Sequence, residues 1–340
     1  YNNLEKCKEY VMAINFAILG LGMIAKVMAS TILQMNKSGD KSVKLYAAAS
    51  RSLEKSQSFC KEFSVERSYG SYDELYNDNN IDLVYIATPH SCHFEEVKLC
   101  LEHGKNVLCE KAFTVNAKQA KELIDLAKAK KLLLAEAIWT RYQPMRKIIA
   151  DTINSNIVGP VTMLTANLGY DIVSVPRLVK PELAGGALLD VGIYPLNFAN
   201  MILGDPDRVE AVCIKNASGV DMSNSITLCY EKTGVMAVLC SSAMGISDRF
   251  GMIHCKRGFI QVDNVNNPQG LKVFDSNYSL IKEIKCPKQL TGYEYEVSAC
   301  VKAIEDGKIE CPQMPHERTL YIMQLMDSIR AQLGIKYPFE

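Results

Sequence analysis

Residues 14 to 25 read INFAILGLGMIA, and this stretch decides the fold of the chain. A short apolar run ends at Gly20, and from residue 23 to 36 apolar side chains recur at helical spacing. The pattern predicts a buried strand, a tight turn and an amphipathic helix. A parallel α/β sheet begins in this way.

The residues that follow repeat the alternation of strand and helix up to about residue 137. Strands are predicted at 43–49, 81–87, 107–109 and 132–137, and helices at 52–63, 91–103 and 116–130. Strands that alternate with helices of this length form a parallel sheet with right-handed crossovers and helices on both faces. We therefore expect a doubly wound Rossmann domain over residues 12 to 137.

Beyond about residue 155, turn residues replace the helices between the apolar strands. Strands are predicted at 161–170, 208–216, 225–242 and 259–265, and helical segments at 143–154, 185–203 and 316–333. Short strands joined by turns pair mainly with antiparallel neighbours. Residues 138 to 340 are therefore predicted to form an α+β domain with a large, mostly antiparallel sheet, against which the helices pack.

The composition argues against several classes of protein. The 38 Lys and Arg residues balance the 38 Asp and Glu residues, so no overall field attracts a nucleic acid, and we expect a small-molecule ligand. The 12 cysteines occur singly in apolar stretches, without a disulfide framework. This distribution favours buried thiols in a reducing cytoplasm.

An apolar segment at 11–35 follows a polar tail at 1–11, as in a signal peptide or a membrane helix. Asn15 and Lys26 interrupt it, and no unbroken apolar run reaches the roughly 20 residues of a membrane span. We expect no association with a membrane.

The turn after the first strand has the form G-x-G-x-x-A. Gly20 permits the tight turn, Gly22 lets the backbone approach a pyrophosphate, and Ala25 lets helix and strand pack closely. Met23 and Ile24 open the helix, whose free N–H groups and partial positive charge attract an anion. The motif therefore predicts a dinucleotide site.

The end of the second predicted strand distinguishes between the two nicotinamide dinucleotides. An acidic side chain there would bind the ribose 2′-hydroxyl of NAD and repel the 2′-phosphate of NADP. This chain instead has Ser50, Arg51 and Lys55, which can donate hydrogen bonds to a phosphate. Asp40 lies at the wrong end of the strand. The sequence favours NADP(H) over NAD(H), unless Arg51 and Lys55 are ordinary solvated charges.

Ligands of open α/β sheets bind at the carboxyl ends of the strands. The residues that follow the strands at 81–87 and 107–109 are therefore expected to border the nicotinamide. They are Thr88, Pro89 and His90 after the first of these strands, and Glu110 and Lys111 after the second.

Hydride transfer at a carbinol needs a group that takes the hydroxyl proton and a cation that stabilises oxyanion character. Lys111, at a strand end, is one candidate, and Tyr194 is another. Asp190 and Tyr194 are four residues apart, on one face of a predicted helix. The alternatives are a surface lysine near a turn, an aspartate that caps a turn and a tyrosine that only packs.

The cysteines and histidines between residues 92 and 109 raise the question of a metal site. Cys100 belongs to the apolar stripe of a predicted helix, and no paired C-x-x-C knuckle occurs. The chain also lacks a G-x-S-x-G nucleophile elbow and a G-x-x-x-x-G-K-[ST] phosphate loop. We expect no metal.

Four stretches carry a resemblance to a known family. GLGMIA begins at residue 20, YIATPHSCHFEEVKLCLEHGKNVLCEKAF at 85, AEAIWTRYQP at 135 and GGALLDVGIYP at 185. Together they resemble the Gfo/Idh/MocA oxidoreductases over nearly the whole chain. Within that family the chain is most similar to the branch of dimeric dihydrodiol dehydrogenases and NADP-linked xylose dehydrogenases.

The resemblance implies roles for individual residues. Lys111 and Tyr194 would handle the proton, Asp190 would orient the substrate or the tyrosine, and Trp139 and Arg141 would lie near the nicotinamide or the substrate. The proline of the family's E-K-P motif is replaced here by Ala112, which removes a constraint on the backbone that aims the lysine. The resemblance also implies a homodimer or higher homo-oligomer, formed through the outer face of the C-terminal sheet.

The predicted activity is hydride transfer between NADP(H) and a carbinol carbon of a sugar, polyol or trans-dihydrodiol. An alternative of another class is a non-catalytic regulator or sensor that binds NADP(H), against which the presence of both Lys111 and Tyr194 argues. A reductase of non-sugar carbonyls is a further alternative.

Overall fold

The computed structural model of the chain describes residues 13 to 340. The polar tail predicted at 1–11 and the first residue of the predicted Rossmann domain lie outside these residues. The described residues are organised around two β-sheets, one of six strands and one of eight.

The first sheet is parallel throughout, with the order β3-β2-β1-β4-β5-β6. Its strands are β1 (Ile14–Leu19), β2 (Val43–Ala49), β3 (Arg67–Tyr69), β4 (Leu83–Ile86), β5 (Asn106–Glu110) and β6 (Leu134–Ala137). Strands β2 and β3 are added successively on one side of β1, and β4, β5 and β6 are added successively on its other side. This reversal confirms the doubly wound Rossmann fold and creates a crevice at the carboxyl ends of β1 and β4.

Helices connect these strands, and the central strands are buried on both faces, as their nearly continuous apolar sequences require. The helices are α1 (Met23–Lys37), α2 (Leu53–Phe63), α3 (Tyr72–Tyr76), α4 (His90–Glu102) and α5 (Ala117–Lys130). Ser52 and Asn116 cap α2 and α5 with side-chain hydrogen bonds. The sequence pattern missed β3 and α3, which are too short to show a periodicity.

The second sheet has the order β14-β13-β12-β11-β7-β10-β9-β8. Its strands are β7 (Val161–Gly169), β8 (Arg208–Lys215), β9 (Asp221–Tyr230), β10 (Val235–Ser242), β11 (Gly251–Cys255), β12 (Gly258–Val262), β13 (Gly270–Asp275) and β14 (Leu280–Lys285). All neighbours run antiparallel except β7 and β10, which are parallel. The predicted α+β class and mostly antiparallel sheet are confirmed.

Helices cover the inner face of this sheet and connect it to the first one. They are α6 (Met145–Asn154), α7 (Pro176–Val179), α8 (Ile193–Leu203), α9 (Glu294–Glu305) and α10 (His316–Leu333). A π-helical turn, Leu188–Gly192, leads directly into α8. Helix α8 packs on β7 and β10, and α10 packs on both α5 and β8. The domain boundary at residues 137 and 138 stays a prediction, with β6 ending at Ala137.

One segment among residues 13 to 340 is long and apolar enough to cross a membrane by length and composition, Pro181–Leu203, with a mean hydropathy of 1.2. Its most apolar window is 83% buried inside the fold. The apolar side chains of this segment are therefore accounted for by the packing of α8 and the π-helical turn in the core.

Candidate active site

A cavity of about 620 Å³ opens at the carboxyl ends of the parallel strands, where the order of the first sheet reverses. It extends from the start of α1 to the start of α8. The cavity collects nearly all the residues predicted for the site: Gly20, Gly22, Met23, Ile24, Ser50, Arg51, Lys55, Thr88, Pro89, His90, Glu110, Lys111, Trp139, Asp190 and Tyr194. Leu21, Val27, Tyr72, Ala87, Ala137, Arg177 and Tyr293 complete its lining.

The turn between β1 and α1 fits an anionic ligand. Gly20 has a φ of +89°, and a Cβ atom there would lie 2.8 Å from the Cγ2 atom of Thr88, so no other residue fits without displacing the end of β4. A Cβ at Gly22 would meet nothing within 4 Å. Gly22 begins α1 without a side-chain cap, so the first N–H groups of the helix are free for a pyrophosphate.

The other end of the cavity, at the end of β2, has basic and neutral polar side chains. Ser50 is buried, while Arg51 and Lys55 are exposed at the start of α2. Among residues 13 to 340, the carboxylates that line the cavity are Glu110, at the end of β5, and Asp190, in the π-helical turn. A ribose phosphate at this end of the cavity would therefore meet the cations of Arg51 and Lys55.

Lys111 is held by Asp190, which comes from the opposite side of the cavity. The Nζ atom of Lys111 donates hydrogen bonds to the backbone oxygen of Asp190 at 2.7 Å and to its Oδ1 atom at 3.1 Å. Arg177 donates from Nη1 to the same Oδ1 atom at 2.8 Å. One carboxylate oxygen thus accepts from two cations, in a region where Asp190 is only 7% exposed.

These charges fix the protonation state of Asp190. Burial by itself would raise the pKa of Asp190, but the positive charges of Lys111 and Arg177 outweigh it and hold the pKa well below its usual range. Asp190 is therefore an anion at neutral pH, and it orients the ammonium group of Lys111 toward the cavity.

Tyr194 lies beside this ion pair. The Nζ atom of Lys111 is 5.1 Å from the centroid of the Tyr194 ring. Burial raises the pKa of Tyr194 well above its usual value, so the phenol is neutral and carries its proton. Sequence analysis placed Asp190 and Tyr194 on one face of a regular helix. Asp190 instead lies in the π-helical turn and Tyr194 in the first turn of α8, and both still line the cavity.

Two histidines support the loop after β4. Burial lowers the pKa of His90 from 6.5 to about 3, and its neutral ring lies 3.1 Å from the carbonyl oxygen of Ala184. The two ring nitrogens of His93 each lie 2.9 Å from a carbonyl oxygen, one of Thr88 and one of Ala112. His93 therefore connects the loop after β4 to the residue that follows Lys111.

Glu110 lies at the edge of the cavity and faces inward. It accepts a hydrogen bond from the Tyr85 hydroxyl, and its Oε2 atom accepts another from the backbone N–H of Lys111 at 3.2 Å. Burial raises the pKa of Glu110, against the effect of the hydrogen bond from Tyr85. The hydrogen bond from its backbone N–H thus connects Lys111 to a buried carboxyl group.

Trp139 forms an aromatic wall of the cavity together with a residue that sequence analysis missed. Its ring is 4.1 Å from that of Tyr293, with an angle of 15° between the planes. Tyr293 and Arg177 lie in segments for which no element was predicted, so no periodicity or motif indicated that they approach the site. The aromatic wall adds apolar surface to a cavity that also contains charged and polar groups.

Arg141 does not line the cavity. Its side chain is 3% exposed, and it donates from Nε to Asn197 at 2.5 Å and from Nη2 to Asn200 at 2.7 Å. Both asparagines belong to α8, which also carries Tyr194. The expected contact of Arg141 with nicotinamide or substrate is not supported by its position, because the guanidinium group is used to connect the segment after β6 to α8.

Two sequence families match the chain. The oxidoreductase family with an NAD-binding Rossmann fold matches residues 14–137, and the GFO/IDH/MocA C-terminal domain matches residues 119–261. Among curated proteins, the trans-1,2-dihydrobenzene-1,2-diol dehydrogenase of Xenopus tropicalis is 34% identical, over 86% of this chain and 90% of that protein. The NADP(+)-dependent D-xylose 1-dehydrogenase of Hypocrea jecorina is 35% identical, over 80% of this chain and 78% of that protein.

Solved structures show the same fold at lower sequence identity. The 3-ketoreductase KijD10 of Actinomadura kijaniata, in complex with NADP and TDP-benzene, has a TM-score of 0.84 at 23% identity, covering 94% of this chain and 98% of that one. An aldose-aldose oxidoreductase of Caulobacter crescentus has a TM-score of 0.84 at 20% identity, covering 95% and 98%. With both domain matches and relatives above 30% identity, the chain belongs to the Gfo/Idh/MocA family of oxidoreductases.

Proposed function

We propose that the protein transfers a hydride between the nicotinamide of NADP(H) and a carbinol carbon of a ring-shaped substrate, a sugar, a cyclic polyol or a trans-dihydrodiol. The observation that carries this proposal is that Lys111 and Tyr194, from the first sheet and from the helix packed on the second, meet in one cavity that begins at the glycine turn. A nucleotide sensor has no need of that pair.

The first N–H groups of α1 would hold the pyrophosphate, and Arg51 and Lys55 would hold the 2′-phosphate. Thr88, Pro89 and His90 would border the nicotinamide, which, when bound, accepts or supplies the hydride. In the reducing direction the Tyr194 phenol would give its proton to the substrate oxygen as the hydride reaches the carbonyl carbon. Oxidation is the reverse, and the substrate hydroxyl would then return its proton to Tyr194 in its phenolate form as the hydride leaves. The ammonium group of Lys111 would stabilise the developing oxyanion, and Asp190 would keep it in place.

The substrate class is supported by the shape of the cavity and by the relatives. Trp139 and Tyr293 offer apolar surface for a ring in the same cavity as the polar groups of Lys111, Asp190 and Tyr194. Two relatives that cover most of the chain are a dehydrogenase of a cyclic diol and one of a sugar. Among the described residues that line the cavity, no carboxylate comes from the segment after β2, which supports NADP(H) over NAD(H), as does the cofactor named for the xylose enzyme.

The test is an assay of the purified protein with NADP+ and matched panels of sugars, cyclic polyols and trans-dihydrodiols. We expect growth of the absorbance band of reduced nicotinamide with at least one ring substrate, and a much smaller rate with NAD+. NADPH binding without turnover of any member, in either direction, would favour the sensor. Reduction of simple dicarbonyls alone, with no reaction of any ring substrate, would favour the carbonyl reductase.

We also infer that the protein assembles through the outer face of the second sheet and works in the cytoplasm. Val212 and Met236 project from that face with 69% and 43% of their surface exposed, and both could be covered by a second copy of the chain. The 11 cysteines among the described residues are all free, as in a reducing compartment. Light scattering should give the molar mass of an oligomer for the wild type and a smaller molar mass for Val212→Glu. Equal molar masses for the two proteins would contradict this interface.

A further inference from the structure

The indole N–H of Trp139 has a partner from a distant part of the chain. The Nε1 atom of Trp139 donates to the Oδ1 atom of Asn266 at 2.8 Å. Asn266 lies in the loop between β12 and β13, which belongs to the second sheet, whereas Trp139 directly follows the last strand of the first. The hydrogen bond therefore connects the aromatic wall of the cavity to the second sheet.

The orientation of the Asn266 amide is fixed by a second partner. Its Nδ2 atom donates to the hydroxyl of Tyr170 at 3.0 Å, and its carbonyl oxygen faces the indole because an indole N–H can only donate. A leucine at this position would have a similar volume but neither polar atom. An aspartate would keep an acceptor for the indole and lose the donor to Tyr170.

The loop that carries Asn266 is itself firmly held. The Oδ1 atom of Asp263 accepts from the backbone N–H groups of Gln269 at 2.8 Å and of Gly270 at 2.9 Å. The backbone N–H of Val265 donates to the carbonyl oxygen of Arg249 at 2.9 Å, and the Val265 side chain is 1% exposed. The loop therefore holds Asn266 in place independently of its hydrogen bond to Trp139.

Other contacts restrict the movement of the Trp139 indole ring. Tyr293 stacks on one face, and a Cβ atom at Gly292 would lie 3.0 Å from the Cζ3 atom of Trp139. Stacking and the backbone of Gly292 limit tilting of the indole, but they do not prevent it from sliding in its own plane. The hydrogen bond to Asn266 opposes that movement, because it is directional and lies in the ring plane.

We infer that Asn266 is a positioning residue for substrate specificity: through Trp139 it sets the distance between the aromatic wall and the groups of Lys111 and Tyr194. This inference rests on the proposed function, since a ring would bind in that space. Loss of the hydrogen bond should weaken the binding of ring substrates and leave Lys111 and Tyr194 in place. An open-chain polyol, which uses less of the aromatic wall, should be affected less.

Trp139 is the single tryptophan of the chain, so its fluorescence reports on this site alone. We expect Asn266→Leu to lower the fluorescence anisotropy of Trp139 and shift its emission, and Asn266→Asp to keep the wild-type signature. In steady-state assays Asn266→Leu should raise the KM for a ring substrate roughly fivefold, the effect of losing one hydrogen bond, with kcat changed less than about twofold. Asn267→Leu, in the same loop, is the control for general damage to the loop.

Wild-type anisotropy, emission and KM in Asn266→Leu would overturn the inference. The inference would also be overturned if Asn266→Asp or Asn267→Leu changed the spectra and the KM as much as Asn266→Leu does. Equal changes would show that Asn266 acts only through the structure of the loop. The fluorescence measurements need no turnover. If no substrate reacts, the proposed function fails, while the placement of Trp139 by Asn266 is still decided by the spectra.

Discussion

The ammonium nitrogen of Lys111 lies 5.1 Å from the centroid of the Tyr194 ring, and on its other side it is hydrogen bonded to Asp190. Lys111 ends up there because β5 stops at the crevice of the first sheet, and Tyr194 because α8 begins beside it. The contact brings the amino group of Lys111, ion-paired with Asp190, next to a phenol whose pKa is raised by burial. Substrate oxygen placed between them would meet both a proton donor and a positive charge.

Tyr194→Phe should lower kcat by roughly a hundredfold or more and leave NADPH affinity nearly unchanged, because the hydroxyl is needed in the transition state and not for the nucleotide. Steady-state rates and a fluorescence titration with NADPH give the two quantities. Tyr142→Phe, whose hydroxyl bonds the backbone of Glu136 outside the cavity, is the matched control. A fully active Tyr194→Phe would exclude the phenol from the mechanism.

Arg51→Asp should shift the cofactor preference toward NAD(H), because a carboxylate at the end of β2 repels a 2′-phosphate and accepts a hydrogen bond from a 2′-hydroxyl. The ratio of kcat/KM values for NADP+ and NAD+ should fall by roughly tenfold or more, the loss of one charge-assisted contact plus repulsion. Lys118→Asp makes the same charge change on the exposed start of α5, far from the cavity. An equal shift in both variants would assign the effect to overall charge.

Arg141→Leu should destabilise the protein by about 2–4 kcal/mol, since two buried asparagine side chains of α8 lose a charged donor. Urea unfolding measures this change. We also expect kcat to fall while NADPH affinity is retained, because α8 carries Tyr194 and Arg141 touches no part of the cavity. Arg208→Leu, on an exposed strand edge, should leave both stability and kcat near the wild-type values. Loss of NADPH binding in Arg141→Leu would restore the original expectation of a cofactor contact.

His90 should make the protein less stable in acid. Its pKa is lowered by burial from 6.5 to about 3, so the unfolded chain binds a proton that the folded chain does not. The contribution of His90 to the unfolding free energy is therefore complete above pH 6.5 and decreases by up to about 1.4 kcal/mol per pH unit as the pH falls toward 3. The difference in unfolding free energy between the wild type and His90→Asn, measured from pH 7 to pH 4, should shrink steadily. Parallel curves would contradict a neutral His90.

Much of the first sheet could be predicted from the sequence because its elements are long and periodic. Strand β2 and helix α10 have the predicted bounds, and the glycine turn lies where its motif requires. Strands β11, β13 and β14 were missed. Strand β14 is an edge strand whose sequence, LIKEIK, is mostly exposed and has no apolar alternation. The parallel pairing of β7 with β10 depends on the path of the chain between them, which no local pattern describes.

Within the site, residues that belong to local motifs were predicted and residues that arrive through tertiary folding were not. Lys111 directly follows β5, whose carboxyl end borders the cavity, so its position could be predicted from that strand alone. Arg177 comes from the short helix α7 and Asn266 from the loop between β12 and β13, and neither segment has a pattern that indicates its course. The expectation for Arg141 rested on its proximity to Trp139 in the sequence. In the tight helical turn Trp139–Arg141, however, the two side chains point in different directions, one toward the cavity and the other toward α8.

The π-helical turn at Leu188–Gly192 has a genetic consequence. Such a turn contains about one residue more than an α-helix would place between the same ends. Each residue advances an α-helix by about 100°. The extra residue therefore sets the direction of the Tyr194 side chain relative to that of Asp190, which lies about one turn earlier. Deletion of one residue here should give a more regular helix, turn the Tyr194 side chain relative to Asp190 and lower kcat.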